Sequence, residues 1–212
     1  AQPRRMTAST LEPGSIFSQH SLADFIDCPR RFSLRYVRKQ AWPLLEVAPL
    51  GMDALTYREY LRKGALLHQW IERYWLGVPS AESGLPSNDQ SSSPGKRESA
   101  LGIDDAELSV WWARFLATDF SALPPRRLPE LELVAPLGEF RLYARFDLLA
   151  TGGPGDPLVI VDWKTLRGER APGYDFLQRR MQTRVYLYVL ATAGAPYADV
   201  DGDLDPARGV MR

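Results

Sequence analysis

Cysteine is almost absent from this 212-residue chain, in which Cys28 stands alone. A single thiol cannot close a disulfide within the chain, and it cannot supply the sets of cysteine ligands that hold structural zinc or iron–sulfur clusters. We therefore expect no iron–sulfur cluster in the chain as given. A reducing compartment is also the simpler expectation for a protein with so little cysteine.

Long apolar runs and an excess of one charge are missing as well. No uninterrupted run approaches the roughly 18 apolar residues of a membrane span, and the N-terminal segment has arginines without the apolar stretch of a signal peptide. The 26 basic residues balance 26 acidic ones, which excludes the polycation of a histone-like DNA-binding protein. We expect a soluble, cytoplasmic protein without a membrane partner, in which any site for a polyanion is local.

Large hydrophobic residues are plentiful, and 45% of the chain is hydrophobic, enough to bury a substantial core. Two segments rich in Ser, Pro and Gly depart from this composition. Residues 1–17 are predicted to be a flexible lead-in, and residues 77–103 a mobile insertion. The remainder, 18–212, is predicted to be a single domain that is truncated at its C-terminal end.

Helical spacing of apolar residues predicts most of the helices. Residues 18–40 are expected to form a helical hairpin, with Ser21 capping the first helix and Pro29 opening the second. Longer helices are predicted at 54–76, at 104–120 and over about 20 residues ending at Gly194.

Between these helices the apolar pattern changes to the alternation of β-strands. Three consecutive strands are predicted at 131–137, 139–150 and 158–165, and an antiparallel meander fits them best. Helices on either side of such a group of strands indicate an α/β protein.

Two of these strands carry charged side chains where apolar ones would be expected. Alternation in the second strand puts Asp147 on the face opposite Phe146 and Leu148. The almost wholly apolar third strand is interrupted by Asp162 and Lys164, which are two residues apart and so point the same way. If the strands are neighbours, two carboxylates and an ammonium group converge.

Two carboxylates brought together repel each other unless a cation lies between them. Oxygen-rich sites favour Mg²⁺ or Mn²⁺, which can polarise a phosphoryl oxygen and lower the pKa of a bound water. A neighbouring lysine can orient that water and stabilise charge on the phosphate. The combination suits metal-dependent hydrolysis of phosphodiesters, although a buried Asp–Lys ion pair in an unrelated α/β protein would give the same spacing.

Five segments together resemble the PD-(D/E)XK nucleases, and among them the RecB-like and Cas4-like exonuclease branch. In chain order they are FSQHSLADFIDCPRRFSLRYV, GALLHQWIE, ARFDLL, VDWKT and QTRVY. The resemblance implies a restriction-endonuclease-like αβββαβ core, with a mixed sheet flanked by helices and an N-terminal helical hairpin. It also implies dependence on Mg²⁺ or Mn²⁺ and cleavage of DNA, single-stranded or with free ends, in repair, recombination or defence.

The resemblance also assigns roles around the metal. By this similarity Asp147 and Asp162 are metal ligands and catalytic residues, His68 is a third ligand, the carbonyl of Trp163 completes the shell, and Lys164 is the catalytic lysine.

The same resemblance assigns roles away from the metal. Gln182 and Tyr186, four residues apart on one helix face, bind the substrate strand. Glu130 resembles an acidic position often found upstream of the first acidic motif.

The chain departs from the branch at two positions. Ala144 stands where the branch often has glycine, which changes the room around the backbone but removes no ligand. Members that hold an iron–sulfur cluster use four cysteines, one of them near the position of Cys28, and this chain has that one alone.

Simpler interpretations stay open at several positions. His68 lies on an apolar helix face, where a histidine is commonly a packed core residue, and Tyr186 also fits a packing role. The arginines around residues 30–38 and 179–184 suit either phosphate contacts or solvated helix faces. For the whole protein, the alternative to a nuclease is a catalytically silent DNA-binding or scaffolding domain that docks onto a helicase or recombination partner.

Overall fold

The computed structural model describes residues 11–40, 53–78, 105–153, 155–165 and 173–198 of the chain. It shows two compact units. The first comprises Ala1–Leu45, Glu132–Arg145 and Arg170–Arg212, and the second Glu46–Leu131 and Phe146–Glu169. Nearly all of the predicted insertion, most of the predicted lead-in and the chain end lie outside the described residues, so the predicted domain boundaries stay a prediction.

Helices and strands follow one another in the order expected of an α/β protein. The strands are β1 (Ile16–Phe17), β2 (Arg126–Leu137), β3 (Phe140–Thr151) and β4 (Val159–Val161). The helices are α1 (Gln19–Asp27), α2 (Pro29–Phe32) with a π-helical segment (Ser33–Val37), α3 (Ala54–Trp75), α4 (Ala106–Leu116), α5 (Tyr174–Arg179), α6 (Met181–Ala193) and α7 (Ala195–Ala198). Within the described residues, no helix is long and apolar enough to span a membrane.

Strand β3 is the one that the other strands share. It pairs with β2, with β1 in parallel at Ile16↔Arg141, and with β4 in antiparallel at Leu149↔Ile160. The four strands form a mixed sheet, which is consistent with the restriction-endonuclease-like fold. The predicted mixed sheet flanked by helices is therefore confirmed.

The third predicted strand is shorter than its apolar pattern indicated. Residues 158–165 were expected to pair throughout, but β4 ends at Val161 and is only partly buried. Asp162 and Lys164 consequently lie beyond the end of the strand. The covered central strand is β3, in which the run Leu148–Thr151 is fully buried.

The N-terminal helical hairpin in the first unit is organised around a buried carboxylate. Helix α1 begins three residues earlier than predicted, because Ser18 is its N-cap and the Ser18 N–H donates to Ser21 Oγ at 2.8 Å. One turn on, Asp24 Oδ1 accepts from Arg31 Nε at 2.8 Å, and Asp24 Oδ2 accepts from Arg35 Nη1 at 2.6 Å. These bonds join α1 to the helical segments that follow it.

The second unit has a core made mostly of aromatic rings. Helices α3 and α4 bury Leu67, Trp70, Ile71, Leu108, Trp112 and Phe115 against one another. The rings meet mostly edge to face, as those of Trp70 and Trp112 do at 5.8 Å between centroids. The N-cap of helix α4 is Asp105, one residue after Asp104, with which the predicted helix opened, and the Asp105 carboxylate accepts from the Leu108 N–H.

The predicted helix that ends at Gly194 is two helices. Arg180 has φ −64° and ψ 139°, an extended conformation that ends α5 and starts α6. The apolar spacing continues across this break, so periodicity did not reveal it. Gly194 caps α6, as predicted.

We expect Asp24→Asn to lower the free energy of unfolding by about 2 kcal/mol, because it removes charge-assisted hydrogen bonds to two arginines. Burial opposes ionisation, but the bonds from Arg35 and Arg31 prevail and hold the pKa of Asp24 below its ordinary value. The stabilisation is therefore present at neutral pH and is lost as the pH falls below about 4. Urea unfolding of the wild type and the variant across pH 3–7 measures this difference, and a constant difference over that range would contradict it.

Candidate metal centre

Asp147 lies on β3 where the buried end of the strand begins. Its neighbours Phe146 and Leu148 are fully buried on the other face, while Asp147 itself is only partly exposed. The alternation of β3 thus fixes the side on which this carboxylate stands, as the sequence predicted.

His68 reaches the same carboxylate from helix α3. Its Nδ1 lies 3.6 Å from Asp147 Oδ2. The buried residues Leu67 and Ile71 hold this part of the helix in the aromatic core, so the imidazole is carried on a rigid element. The interpretation of His68 as a packed core residue is not favoured, because its ring faces a carboxylate.

Glu130 completes the group from strand β2. Ligand atoms of His68, Glu130 and Asp147 all lie within 4.8 Å of one another. Glu130 has φ 49°, in the left-handed region that a residue with a side chain enters only at an energetic cost. Strain of this kind inside a strand is common at functional sites, where it directs a side chain.

This group suits a divalent cation. One imidazole nitrogen and two carboxylate oxygens are ligands that Mn²⁺ and Mg²⁺ accept, with bonds of about 2.0–2.2 Å. Atoms on opposite sides of such an ion are separated by about twice that length, which is close to the spread of the three groups. The donor set therefore fits the metal that the sequence predicts, with Glu130 in a position for which no ligand role was assigned.

The surroundings of Asp147 favour a cation beside its carboxylate. Burial is the largest influence and raises the pKa of Asp147, and the negative charge of Asp162 raises it further. The positive field of His68, the Trp163 N–H and Lys164 act in the opposite direction without cancelling the effect. A carboxylate with a raised pKa is one whose ionised form lacks enough compensating charge, and a bound cation supplies that charge.

The segment after β4 carries the other predicted residues. The backbone N–H of Trp163 donates to Asp147 Oδ2 at 2.7 Å, and Lys164 Nζ lies 2.6 Å from Asp162 Oδ2. Asp162 lies outside the group of three ligands and pairs with the lysine instead. Its role as a ligand, and that of the Trp163 carbonyl, stay predictions.

Two further contacts hold this segment, which has no strand pairing of its own. The indole of Trp163 packs edge to face on Phe115 and Phe120, with centroids at 5.4 and 5.7 Å. The Tyr60 hydroxyl, on the same helix as His68, donates to the carbonyl oxygen of Thr165. Both sequence neighbours of Lys164 are therefore held in place, Trp163 by ring packing and Thr165 by a hydrogen bond.

Gln182 and Tyr186 belong to the other compact unit, on α6. They share one face of that helix, as predicted, and Gln182 Nε2 donates to the hydroxyl of Tyr186 at 3.0 Å. Tyr186 is buried, which also satisfies the packing role considered for it. Their role in binding a substrate strand stays a prediction.

Two residues of the site were underestimated from sequence. Glu130 was noted only by its resemblance, because nothing in RRLPELELVAPL shows that its backbone is left-handed. Tyr60 was not singled out, since one tyrosine in a helix usually serves packing. The spacing of Tyr60 and His68, eight residues apart on one helix, was the available signal that both face the same side.

Comparisons with known proteins agree with this geometry. A model of the PD-(D/E)XK nuclease superfamily matches residues 16–209. No curated protein and no solved structure is similar enough to match.

We expect Asp147→Asn to stabilise the metal-free protein at neutral pH. Because burial raises the pKa of Asp147, the folded state binds this proton more tightly than the unfolded state, and stability falls as the pH rises through the raised pKa. The amide carries no charge and avoids that loss, while its oxygen still accepts from Trp163. Thermal unfolding in EDTA should show a higher Tm for the variant at pH 7–8 and a smaller difference at pH 4. A wild type more stable than the variant at pH 8 would contradict this.

Binding of Mn²⁺ should depend on Glu130. We expect Glu130→Gln to weaken binding at least about tenfold in titration calorimetry, because it replaces an anionic ligand with a neutral one. Glu132→Gln is a matched control on the same strand, since Glu132 is exposed and accepts a hydrogen bond from Tyr143. Equal losses of Mn²⁺ affinity in the two variants would show that the loss comes from the change in net charge and not from the removal of a metal ligand.

Proposed function

The chain belongs to the PD-(D/E)XK nuclease superfamily, and from this premise we propose that it is a Mg²⁺- or Mn²⁺-dependent deoxyribonuclease that degrades DNA from free ends. Membership indicates a metal-dependent nuclease with DNA as its substrate. The assignment to the RecB-like and Cas4-like exonuclease branch, and to repair, recombination or defence in the cytoplasm, is supported by the order of the five sequence motifs.

One observation carries the proposal. The imidazole of His68 and the carboxylates of Glu130 and Asp147 converge within 4.8 Å, and Asp147 is bonded directly to the segment that presents Lys164. The hydrogen bond from the Trp163 N–H to Asp147 thereby links the metal ligands to the segment that carries the lysine. A buried Asp–Lys pair in an unrelated fold would not require the histidine and the second carboxylate at the same place.

We assign His68, Glu130 and Asp147 to holding the metal, with Asp162 and the carbonyl of Trp163 completing its shell. A divalent ion so held supplies Lewis-acid chemistry, polarising the scissile phosphate and acidifying a water. The residues do the rest by position. The Asp162 carboxylate holds the Lys164 ammonium in place at 2.6 Å, and Trp163 and Tyr60 keep that segment from moving.

Lys164 acts on the reaction through its charge and its protons. Its ammonium group donates to the attacking water and to a phosphate oxygen, and so stabilises the negative charge that grows as the water oxygen bonds to phosphorus. The attacking water releases one proton to the solvent, the bond from phosphorus to the leaving sugar oxygen breaks, and that oxygen takes up a proton from the solvent. Gln182 and Tyr186 are proposed to hold the strand being cut.

Nuclease assays of the wild type and Lys164→Ala test the proposal. We expect the wild type to degrade linear DNA with Mg²⁺ or Mn²⁺, to leave covalently closed circles intact, and to lose activity in EDTA. Lys164→Ala should cut about 10²–10³-fold more slowly, because one charge-stabilising donor is removed. It should still bind Mn²⁺, since Lys164 is not a ligand.

The pair of measurements separates the lysine from the metal site. Glu130→Gln should lose both metal binding and cleavage, whereas Lys164→Ala should lose cleavage alone. Equal cleavage by the wild type and Lys164→Ala would refute the role of the lysine. Binding of DNA without cleavage, in every metal tested, would favour the catalytically silent DNA-binding or scaffolding domain. Cutting of closed circles would refute the requirement for a free end.

A further inference from the structure

Helix α5 buries none of its faces. Every residue from Tyr174 to Arg179 is exposed, and the exposed fractions are 74% for Tyr174, 61% for Phe176 and 37% for Leu177. A six-residue helix has little stability of its own in water. Three large apolar side chains exposed on so short a helix indicate a surface that another molecule covers.

The charge around α5 indicates which molecule that is. Arg179, Arg180 and Arg184 follow the exposed rings, and Asp175 is the one acidic residue between positions 174 and 184. Across the described ranges, none of these three guanidinium groups forms an ion pair with a carboxylate. Arg31 and Arg35, in contrast, are both bound to Asp24.

We propose that α5 and the first turn of α6 form a stacking surface for single-stranded DNA. The rings of Tyr174 and Phe176 stack on bases, and Arg179, Arg180 and Arg184 contact phosphates. Exposed rings beside arginines without carboxylate partners are the combination that binds single strands without reading their sequence. The inference rests on the proposed function and names the form of DNA that the protein holds.

The spacing of these residues decides what each one does. Tyr174 and Phe176 are two residues apart and so point to different sides of the helix, which means that they hold two different bases and do not enclose one. Phe176 and Arg179 are three apart and lie on the same side. A base on Phe176 therefore places its own phosphate near Arg179.

Single-stranded DNA is favoured over the other occupants. In a duplex the faces of the bases are stacked on one another and cannot reach the rings. An apolar protein surface would match the rings but would leave three arginines without anionic partners. Helix α5 also contacts α6, which carries Gln182 and Tyr186, the residues proposed to hold the substrate strand.

The test is fluorescence anisotropy of a labelled oligo-dT with the full chain in EDTA, so that no cleavage interferes. We expect Phe176→Leu to weaken binding roughly tenfold, since it keeps an apolar side chain but removes the ring. Phe176→Tyr should bind as the wild type does. Leu187→Ala is the matched control, because Leu187 is an equally exposed apolar residue on α6.

The arginines are tested by salt dependence. Arg179→Gln and Arg184→Gln should each reduce the slope of log Kd against log salt by about 0.7, the value for one phosphate contact on a single strand. Arg114→Gln removes the same charge from an exposed position on α4 and should leave the slope unchanged.

The possible outcomes are distinct. Wild-type affinity in Phe176→Leu, a preference of the wild type for duplex, or no binding of oligo-dT would each overturn the surface. So would a change in oligomeric state of Phe176→Leu without a change in DNA binding, which would indicate a protein contact. If the variants bind oligo-dT as expected but no metal supports cleavage of DNA by the wild type, the nuclease proposal is overturned and the stacking surface stands. If the wild type cleaves DNA but the variants bind oligo-dT as tightly as it does, the surface is overturned and the nuclease proposal stands.

Discussion

The hydrogen bond from the Trp163 N–H to Asp147 is the contact on which the candidate site depends. Asp147 stands on β3, which pairs with the three other strands, but Lys164 follows a strand that ends at Val161. The bond gives the unpaired segment a fixed point on the sheet. The Trp163 ring and the Tyr60 hydroxyl also hold this segment, through Phe115 and Thr165. The hydrogen bond ties the segment to the carboxylate itself, and a catalytic lysine acts only at a defined distance from the metal ligands.

Burial of the Asp147 carboxylate has an energetic cost that the rest of the second unit must offset. Burial raises the pKa of Asp147, so an ionised Asp147 is unfavourable in the folded protein without a cation. The left-handed backbone of Glu130 adds strain close by. The aromatic core supplies the compensation, and the indole of Trp163 belongs both to that core and to the site. Functional sites are commonly unstable by themselves and are held in place by the packing of the surrounding structure.

Periodicity predicted the parts of the site that stand on regular structure. Alternation placed Asp147 on its face of β3, and helical spacing placed His68 on α3, because both patterns follow from fixed repeats. Periodicity wrongly placed Asp162 and Lys164 within a strand. Nothing in the sequence after the apolar residues VIV indicates that strand pairing ends at Val161. Periodicity also failed at Glu130 and Arg180, where a single backbone conformation, invisible in the residue type, decides the geometry.

Charge shows the same limit of local pattern. The arginines near residue 30 and those near residue 180 look alike in sequence, and both suit phosphate contacts. Their environments differ because Asp24, seven and eleven residues before Arg31 and Arg35, turns inward and binds both. Those two guanidinium groups hold the helical hairpin together, and a phosphate could bind them only by displacing a buried carboxylate. A basic segment therefore becomes a candidate for binding DNA only after its internal partners have been accounted for.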